Sequence, residues 1–383
     1  MRRIYFDNNA TTPLLPPVLA AIEPCFIEGF GNAGSIHQVG QRARAQVEAA
    51  REQLAAFIGA RAAEIVFTSG GTEGDNLALF GAVQPCDHLI TSAIEHHAIL
   101  ASTQRLQESG VEVTIVGCDA NGVVQPESVQ EALRPNTKLV SVMMANNETG
   151  VLQPVAEIAA IAHQANALFH TDAVQAAAKV PISVDEIGCD LLTLAAHKMN
   201  GPQGVGLLYV RRGTLLQSRQ LGGRHERGRR AGTENLAGIV GFGRAAQLAV
   251  EWFANGGQQE MRALRDRLEQ GICRTVPGAS VNGGRAPRTP NTSNIAFPGV
   301  EGEGFVIAMD LQGVAVSTGA ACSSGATEPS HVLVAMGLTE QARGSIRFSL
   351  GKQNTAEEVD IVLDMVPGVV RKLRELSPAW AGK

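Results

Sequence analysis

Between about residue 60 and residue 212, short apolar runs alternate with helical or Gly- and Pro-punctuated segments. A chain with that rhythm hides its strands best in a mainly parallel sheet covered by helices on both faces. Seven strands are predicted, over residues 64–68, 88–91, 111–116, 139–145, 167–171, 191–195 and 206–210. Several are unbroken runs of Val, Ile, Leu and Met, as strands covered on both sides should be. Helices are predicted between them over 72–83, 97–108, 126–133 and 155–164. Pro154 falls near the first turn of the last, where a missing N–H costs nothing. The expected fold class is α/β, built from βαβ-like units.

After Gly213 the pattern changes. A loop rich in Gly and Arg, from Gly222 to Gly232, leads into helical stretches over 235–253 and 258–275, separated by Asn255-Gly256-Gly257. From about Val276 onward, short strands over 293–297, 314–317 and 345–349 mix with helices over 303–311 and 356–376, which predicts a smaller α+β unit. With 383 residues and roughly 150 per domain, two or three domains are expected. The reading gives an arm over 1–14, a large domain over 15–255 and a small domain over 256–383. A helix over 15–30 is free to pack on the small domain. No internal repeat or low-complexity tract interrupts this plan.

Charge and hydropathy exclude several classes of partner. The 32 basic residues against 37 acidic ones leave a formal charge of −5, too mild to serve as a footprint for nucleic acid or an anionic membrane. No run approaches the ~18 apolar residues of a membrane span. The longest apolar helix candidate, Leu236 to Ala254, is broken by Arg244 and Glu251. Arg2 and Arg3 precede Tyr5, Asp7, Asn8 and Asn9 rather than an apolar signal core, so a cytoplasmic location is expected. Cys25, Cys86, Cys118, Cys189, Cys273 and Cys322 are scattered without a C-x-x-C pair, against a zinc knuckle or a disulfide framework. Small-molecule chemistry is the better expectation.

Three local features bear on that chemistry. Ile65-Val66-Phe67-Thr68-Ser69-Gly70-Gly71-Thr72-Glu73 reads as a buried strand, a Gly turn and a helix start. Free main-chain N–H groups and the helix dipole converge there, with the Thr72 hydroxyl as a further donor for a phosphate. The same turn taken alone is equally a tight connection, and the nucleotide-binding Gly-x-x-x-x-Gly-Lys pattern is absent. Asp172 closes an apolar strand, where ligands of open α/β sheets bind, although a helix N-cap would also account for it. Lys198 follows the apolar run Leu191-Leu192-Thr193-Leu194-Ala195-Ala196-His197. Desolvation there would lower its pKa and free the amine for Schiff-base chemistry; a snorkelling surface lysine is the commoner fate. Together, a phosphate cradle, a buried Asp and a Schiff-base Lys are the three handles of pyridoxal 5'-phosphate.

On these residues the chain resembles the cysteine desulfurases, NifS- and IscS-like enzymes of the class V aminotransferase group, which have the PLP-dependent transferase fold of type I. The likeness runs from Tyr5-Phe6-Asp7-Asn8-Asn9-Ala10-Thr11-Thr12 to Ser345-Ile346-Arg347-Phe348-Ser349-Leu350-Gly351. It implies that Lys198 carries the cofactor and that Asp172 keeps the pyridine nitrogen protonated. Gln175 would meet the phenolic oxygen, and His96, in Ile94-Glu95-His96-His97, would stack on the ring and shuttle protons. Gly71, Thr72 and His197 fall on the phosphate side, joined by Thr233 from the other subunit of a homodimer. Asn147 and Arg347 resemble groups that face the cofactor and the substrate carboxylate. The pair His96-His97 has no neighbouring acidic or Cys cluster to complete a metal site, so no metal is expected. At Ala195 most relatives carry Ser, and the missing hydroxyl would cost about 0.5–1.5 kcal/mol of phosphate binding.

The segment Ser317-Thr318-Gly319-Ala320-Ala321-Cys322-Ser323-Ser324-Gly325 is small, polar and Gly-flanked. Cys322 is read as an exposed loop thiol, and the other five cysteines as thiols in apolar or helical contexts. The resemblance makes Cys322 the sulfur acceptor. It implies conversion of L-cysteine to L-alanine, a persulfide on Cys322, and passage of the sulfur to an iron–sulfur scaffold or another acceptor protein, for nitrogen fixation or for general cluster supply. A selenocysteine lyase or an aminotransferase of the same fold, and a non-catalytic assembly scaffold, are the rival readings.

Overall fold

The computed structural model describes residues 3–319, 329–377 and 380. A short strand, β1 (Ile4–Tyr5), comes first. It is followed by β2 (Ile65–Thr68), β3 (His88–Ser92), β4 (Glu112–Val116), β5 (Thr137–Ser141), β6 (Leu168–Asp172), β7 (Leu191–Ala195) and β8 (Gly206–Val210). The remaining strands are β9 (Ser280–Asn282), β10 (Thr292–Ala296), β11 (Val314–Ala315) and β12 (Ser345–Ser349).

Strands β2 to β8 form one seven-stranded sheet in the order β2-β8-β7-β6-β5-β3-β4. Only β8 opposes its neighbours. The segment joining β7 to β8 is too short for a crossover helix, so the chain must return antiparallel. Side chains alternate between two cores, which explains the unbroken apolar runs. Ile65, Phe67, Ile90, Leu192, Leu194 and Leu207 enter one core, while Val66, Leu89, Leu191 and Leu208 enter the other. The strand predicted over 139–145 lies at Thr137–Ser141, because the chain leaves the ladder at Val142 towards the site.

The C-terminal unit has its own three-stranded antiparallel sheet, β12-β10-β9, and a separate core. Ile4 and Phe6 of the arm belong to that core, with Phe297, Phe305, Ile346 and Phe348, and β1 pairs with β11. Conversely Val332, Leu333 and Met336, from a segment numbered within the C-terminal unit, pack into the core of the large body. The two bodies therefore exchange segments at both ends of the chain. Helix Pro16–Ile27, which the sequence left free to pack on the small unit, lies instead against helix Leu236–Ala254, where Ile22 closes on Gly241.

Helix Gln38–Ile58 has no counterpart in the predicted elements. Its buried positions Ala43, Val47, Ala50, Leu54 and Phe57 recur at helical spacing, and that face is held by close approach to Leu236–Ala254. A Cβ on Gly243 would sit 2.9 Å from the Ala50 Cα. From this helix Arg51 reaches Glu226 of the basic loop through two bonds of 2.8 Å, and Glu226 also accepts from the Phe67 N–H. Both side chains are buried. The loop is thus pinned from within at Glu226 rather than wholly solvated. Removing one partner of such a pair strands a buried charge. Arg51→Ala is expected to destabilise the fold by about 3–5 kcal/mol, seen as a lower midpoint in denaturant unfolding. A change within about 0.5 kcal/mol would show the pair to be dispensable.

Candidate functional site

The loops that leave the carboxyl ends of β2, β3, β5, β6 and β7 carry most of the predicted site residues, at the edge where open α/β sheets bind ligands. Asp172 closes β6 and is 7% exposed. Its Oδ1 accepts the Val174 N–H at 2.9 Å, but the segment after it is a series of turns, so it caps no helix. Burial raises the carboxyl to about 6, opposed by the Val174 N–H and the charge of Lys198. Lys198 stands in a single turn directly after β7. It does not snorkel: Nζ donates to the carbonyls of Asn9 at 2.5 Å and Ala10 at 2.8 Å.

The Gly turn after β2 touches the Asp172 loop. Helix Gly71–Ala82 starts at once, and a Cβ on Gly71 would lie 2.9 Å from Val174 Cγ2 and 3.8 Å from the Ala195 methyl. Ala195, fully buried, therefore faces this turn. Thr72 is exposed beside it. Glu73 accepts from Ser69 N–H and from Arg230, whose Nε lies 2.7 Å away. Burial pushes this carboxyl up, but Arg230 and Ser69 outweigh it and hold it below its ordinary value. Arg230 thereby ties the loop that bears Thr233 to the Gly turn, and Thr233 itself is exposed.

His96 caps helix His97–Glu108, its Nδ1 accepting the Ala98 N–H at 3.1 Å. Burial first, then the charge of Lys198, lowers it to about 4. His197, whose Nδ1 is 3.2 Å from Thr11 Oγ1, falls to about 4 for the same reasons. Both shifts favour the neutral imidazole at pH 7. The His97 ring lies 4.9 Å from that of His331, and no group of three metal-binding side chains is found among the described residues.

Arg347 is 2% exposed, not the surface charge that an isolated arginine on a strand usually is. Its Nη2 donates to Asp7 Oδ1 at 2.7 Å, and its Nη1 to the Asn147 carbonyl at 3.0 Å. Two polar atoms nearby, Asn147 Oδ1 and Arg347 Nε, are buried without a hydrogen-bond partner among the described residues. Native interiors rarely leave such atoms unpaired, and a ligand is one way to satisfy them.

Several groups in the site were not singled out from sequence. Asn9 is the junction: its carbonyl accepts from Lys198 and from Gln175 Nε2, and its Nδ2 donates to the Asn147 carbonyl. Asp7 holds Arg347, and Lys179 holds Gln175. The Tyr5–Thr12 motif was the only sequence signal for Asp7 and Asn9, and it named no role for them. Asp75 and Glu95 are buried behind Asp172. Burial and the Asp172 charge raise Asp75 well above its ordinary value, while burial raises Glu95 to about 8.

Cys322 lies outside the described residues. The chain on either side of it meets at Glu148, which accepts from Ser330 Oγ at 2.6 Å and lies 3.0 Å from the Cβ position of Gly319. Apolar or helical surroundings in sequence, where a core thiol is the default, do not bury all of the other cysteines. Cys25 and Cys189 are buried, but Cys86 and Cys273 are exposed. Cys273 lies on the open side of its helix and Cys86 in a turn with φ 74°, neither of which local hydrophobicity reveals.

Residues 4–362 match the family described as aminotransferase class-V. A protein of Gluconacetobacter diazotrophicus named cysteine desulfurase is 47% identical, over 100% of this chain and 97% of its own. One of Dictyoglomus turgidum named cysteine desulfurase IscS is 44% identical, over 98% and 97%. A solved structure titled NifS-like protein superposes with a TM-score of 0.90 at 37% identity, covering 97% of this chain and 100% of the other. No helix among the described residues is long and apolar enough to cross a membrane.

Proposed function

The chain belongs to the aminotransferase class-V family and is a pyridoxal phosphate-dependent cysteine desulfurase; we propose that it moves the sulfur of L-cysteine onto Cys322 with the residues described above. The donor set fits the cofactor. Lys198 offers the amine for its carbonyl, Asp172 a buried carboxylate for its ring nitrogen, and Gln175 an amide N–H for its phenolic oxygen. The turn at Gly71 and Thr72, His197, and Thr233 of the partner subunit would hold the phosphate. The unpaired Asn147 Oδ1 and Arg347 Nε are the observation that carries this reading, because they leave polar atoms waiting beside the same pocket.

Bound pyridoxal phosphate supplies an electron sink for charge left at the substrate α-carbon. The Arg347 guanidinium and the Asn147 amide orient the α-carboxylate, so that the α-proton faces Lys198. Lys198 Nζ takes that proton, and the neutral His96 imidazole moves protons at the substrate's sulfur and β-carbon. The Cys322 thiolate attacks the sulfur: a sulfur–sulfur bond forms as the carbon–sulfur bond breaks. The electron pair of the broken bond stays with the β-carbon, which takes a proton and becomes the methyl group of alanine. The persulfide passes to an iron–sulfur scaffold or another acceptor protein, and the enzyme works as a cytoplasmic homodimer, either in nitrogen fixation or in general cluster supply. The exposed Thr233 loop, tied to the Gly turn by Arg230, supports a site shared between subunits.

Borohydride reduction followed by peptide mass mapping tests the assignment. The visible band is expected to disappear, and the cofactor's mass to be found on Lys198. A protein that stays colourless with added pyridoxal phosphate, or a label on another lysine, would overturn it.

A further inference from the structure

Lys179 is 5% exposed, in the turns that follow β6, and has no part in the proton and sulfur transfers above. Its Nζ donates to Gln175 Oε1 at 2.8 Å and to the Gln175 carbonyl at 3.0 Å. Burying an amine is unfavourable unless its donors are used, and here two of them are directed at one residue. The consequence lies at the other end of the amide. With Oε1 pinned by a donor, the amide cannot turn over, and Nε2 must face the Asn9 carbonyl at 2.9 Å, the same oxygen that receives Lys198. An amide nitrogen carries two hydrogens. Asn9 takes one, which leaves the second for another acceptor.

We propose that Lys179 is a positioning residue that locks Gln175 as a donor towards the phenolic oxygen of bound pyridoxal phosphate, and so sets the acidity of the linkage at Lys198. This rests on the contact between Gln175 and that oxygen put forward under the proposed function. Burial, and then the charges of Lys198 and Arg347, lower the Lys179 amine well below its ordinary value. The lock survives this, because a neutral amine still has two N–H donors for the two Gln175 oxygens. Without Lys179, Oε1 is free to swing towards the phenolic oxygen. Two acceptors then face each other, and the linkage nitrogen holds its proton more tightly.

The test is a pH titration of the visible band. Lys179→Met keeps the stem length and removes both donors. The midpoint is expected to rise by about one pH unit. In a Gln175→Ala background the same substitution should move it by less than roughly 0.2 unit, because the lock then has nothing to hold. An unmoved midpoint in the single variant, with or without a lower melting temperature, overturns the proposal. An equal shift in both backgrounds overturns it too, since the amine would then act directly by its charge. If Lys179→Met does not fold, Lys179→Arg carries the test. It keeps a donor at Oε1 and should stay within roughly 0.3 unit of the unsubstituted protein, while a shift of about one unit refutes the lock. An unsubstituted protein that is colourless sinks the cofactor assignment and this inference together. A coloured one with an unmoved midpoint sinks only the role of Lys179.

Discussion

Lys198→Ala is expected to abolish production of alanine and sulfide from L-cysteine, lowering turnover by at least about four orders of magnitude. In the function proposed above the amine has two roles on one atom: it would hold the cofactor, and it would take the α-proton of the substrate. Nucleophilic and proton-transfer contributions of this kind are each worth orders of magnitude, and they are lost together. The fold should survive, because Nζ donates to two carbonyls of the arm and the Asn9 carbonyl keeps its bond from Gln175 when the amine is removed. Lys198→Arg separates charge from chemistry. It retains a cation and donors beside Asn9, but a guanidinium stays protonated and forms no such linkage. It should be as inactive as the alanine variant while melting close to the unsubstituted protein. Turnover above about one hundredth of normal in either variant would remove Lys198 from the mechanism.

Cys322→Ala is expected to separate binding from sulfur transfer. The variant should hold the cofactor, and its visible spectrum should change on adding L-cysteine, because Lys198, Asp172 and Arg347 are untouched. Alanine and persulfide should fall at least about a thousandfold, since no thiolate is left to take the sulfur and let the carbon–sulfur bond break. The exposed Cys86 and Cys273 supply the control. Neither belongs to the site described here, and Cys86→Ala and Cys273→Ala should desulfurate cysteine at the normal rate. Normal turnover by Cys322→Ala, or its loss in either control, would move the sulfur acceptor elsewhere.

The large sheet was legible because its signal is local. Strand β7 needs only Leu191, Leu192 and Leu194 in succession to show that both of its faces are buried, and all seven predicted strands of that sheet are present. Helix Gln38–Ile58 was missed although Ala43, Val47, Ala50, Leu54 and Phe57 recur at helical spacing; what the sequence could not show is its partner, the surface where Gly243 lets Ala50 approach. The cysteines show the same limit, since hydrophobic neighbours in sequence did not reveal that Cys273 faces outward.

Within the site, the chain's own order placed Asp172 and Lys198 at strand ends. Asp172 closing β6 and Lys198 following β7 could be read from apolar runs that stop at a charge, and the resemblance supplied their chemistry. What those groups touch was decided only by folding. Asn9 meets Lys198 across 189 positions, and Arg347 meets Asp7 across 340. Burial of Arg347, the grip of Lys179 on Gln175 and the exchange of segments between the two cores arise in the same way. Periodicity records which face of an element is dry, because that depends on neighbours a few residues apart. It carries no record of which distant carbonyl or carboxylate fills a buried donor, because that pairing exists only once the sheet register and the packing of the two bodies have brought the partners within reach.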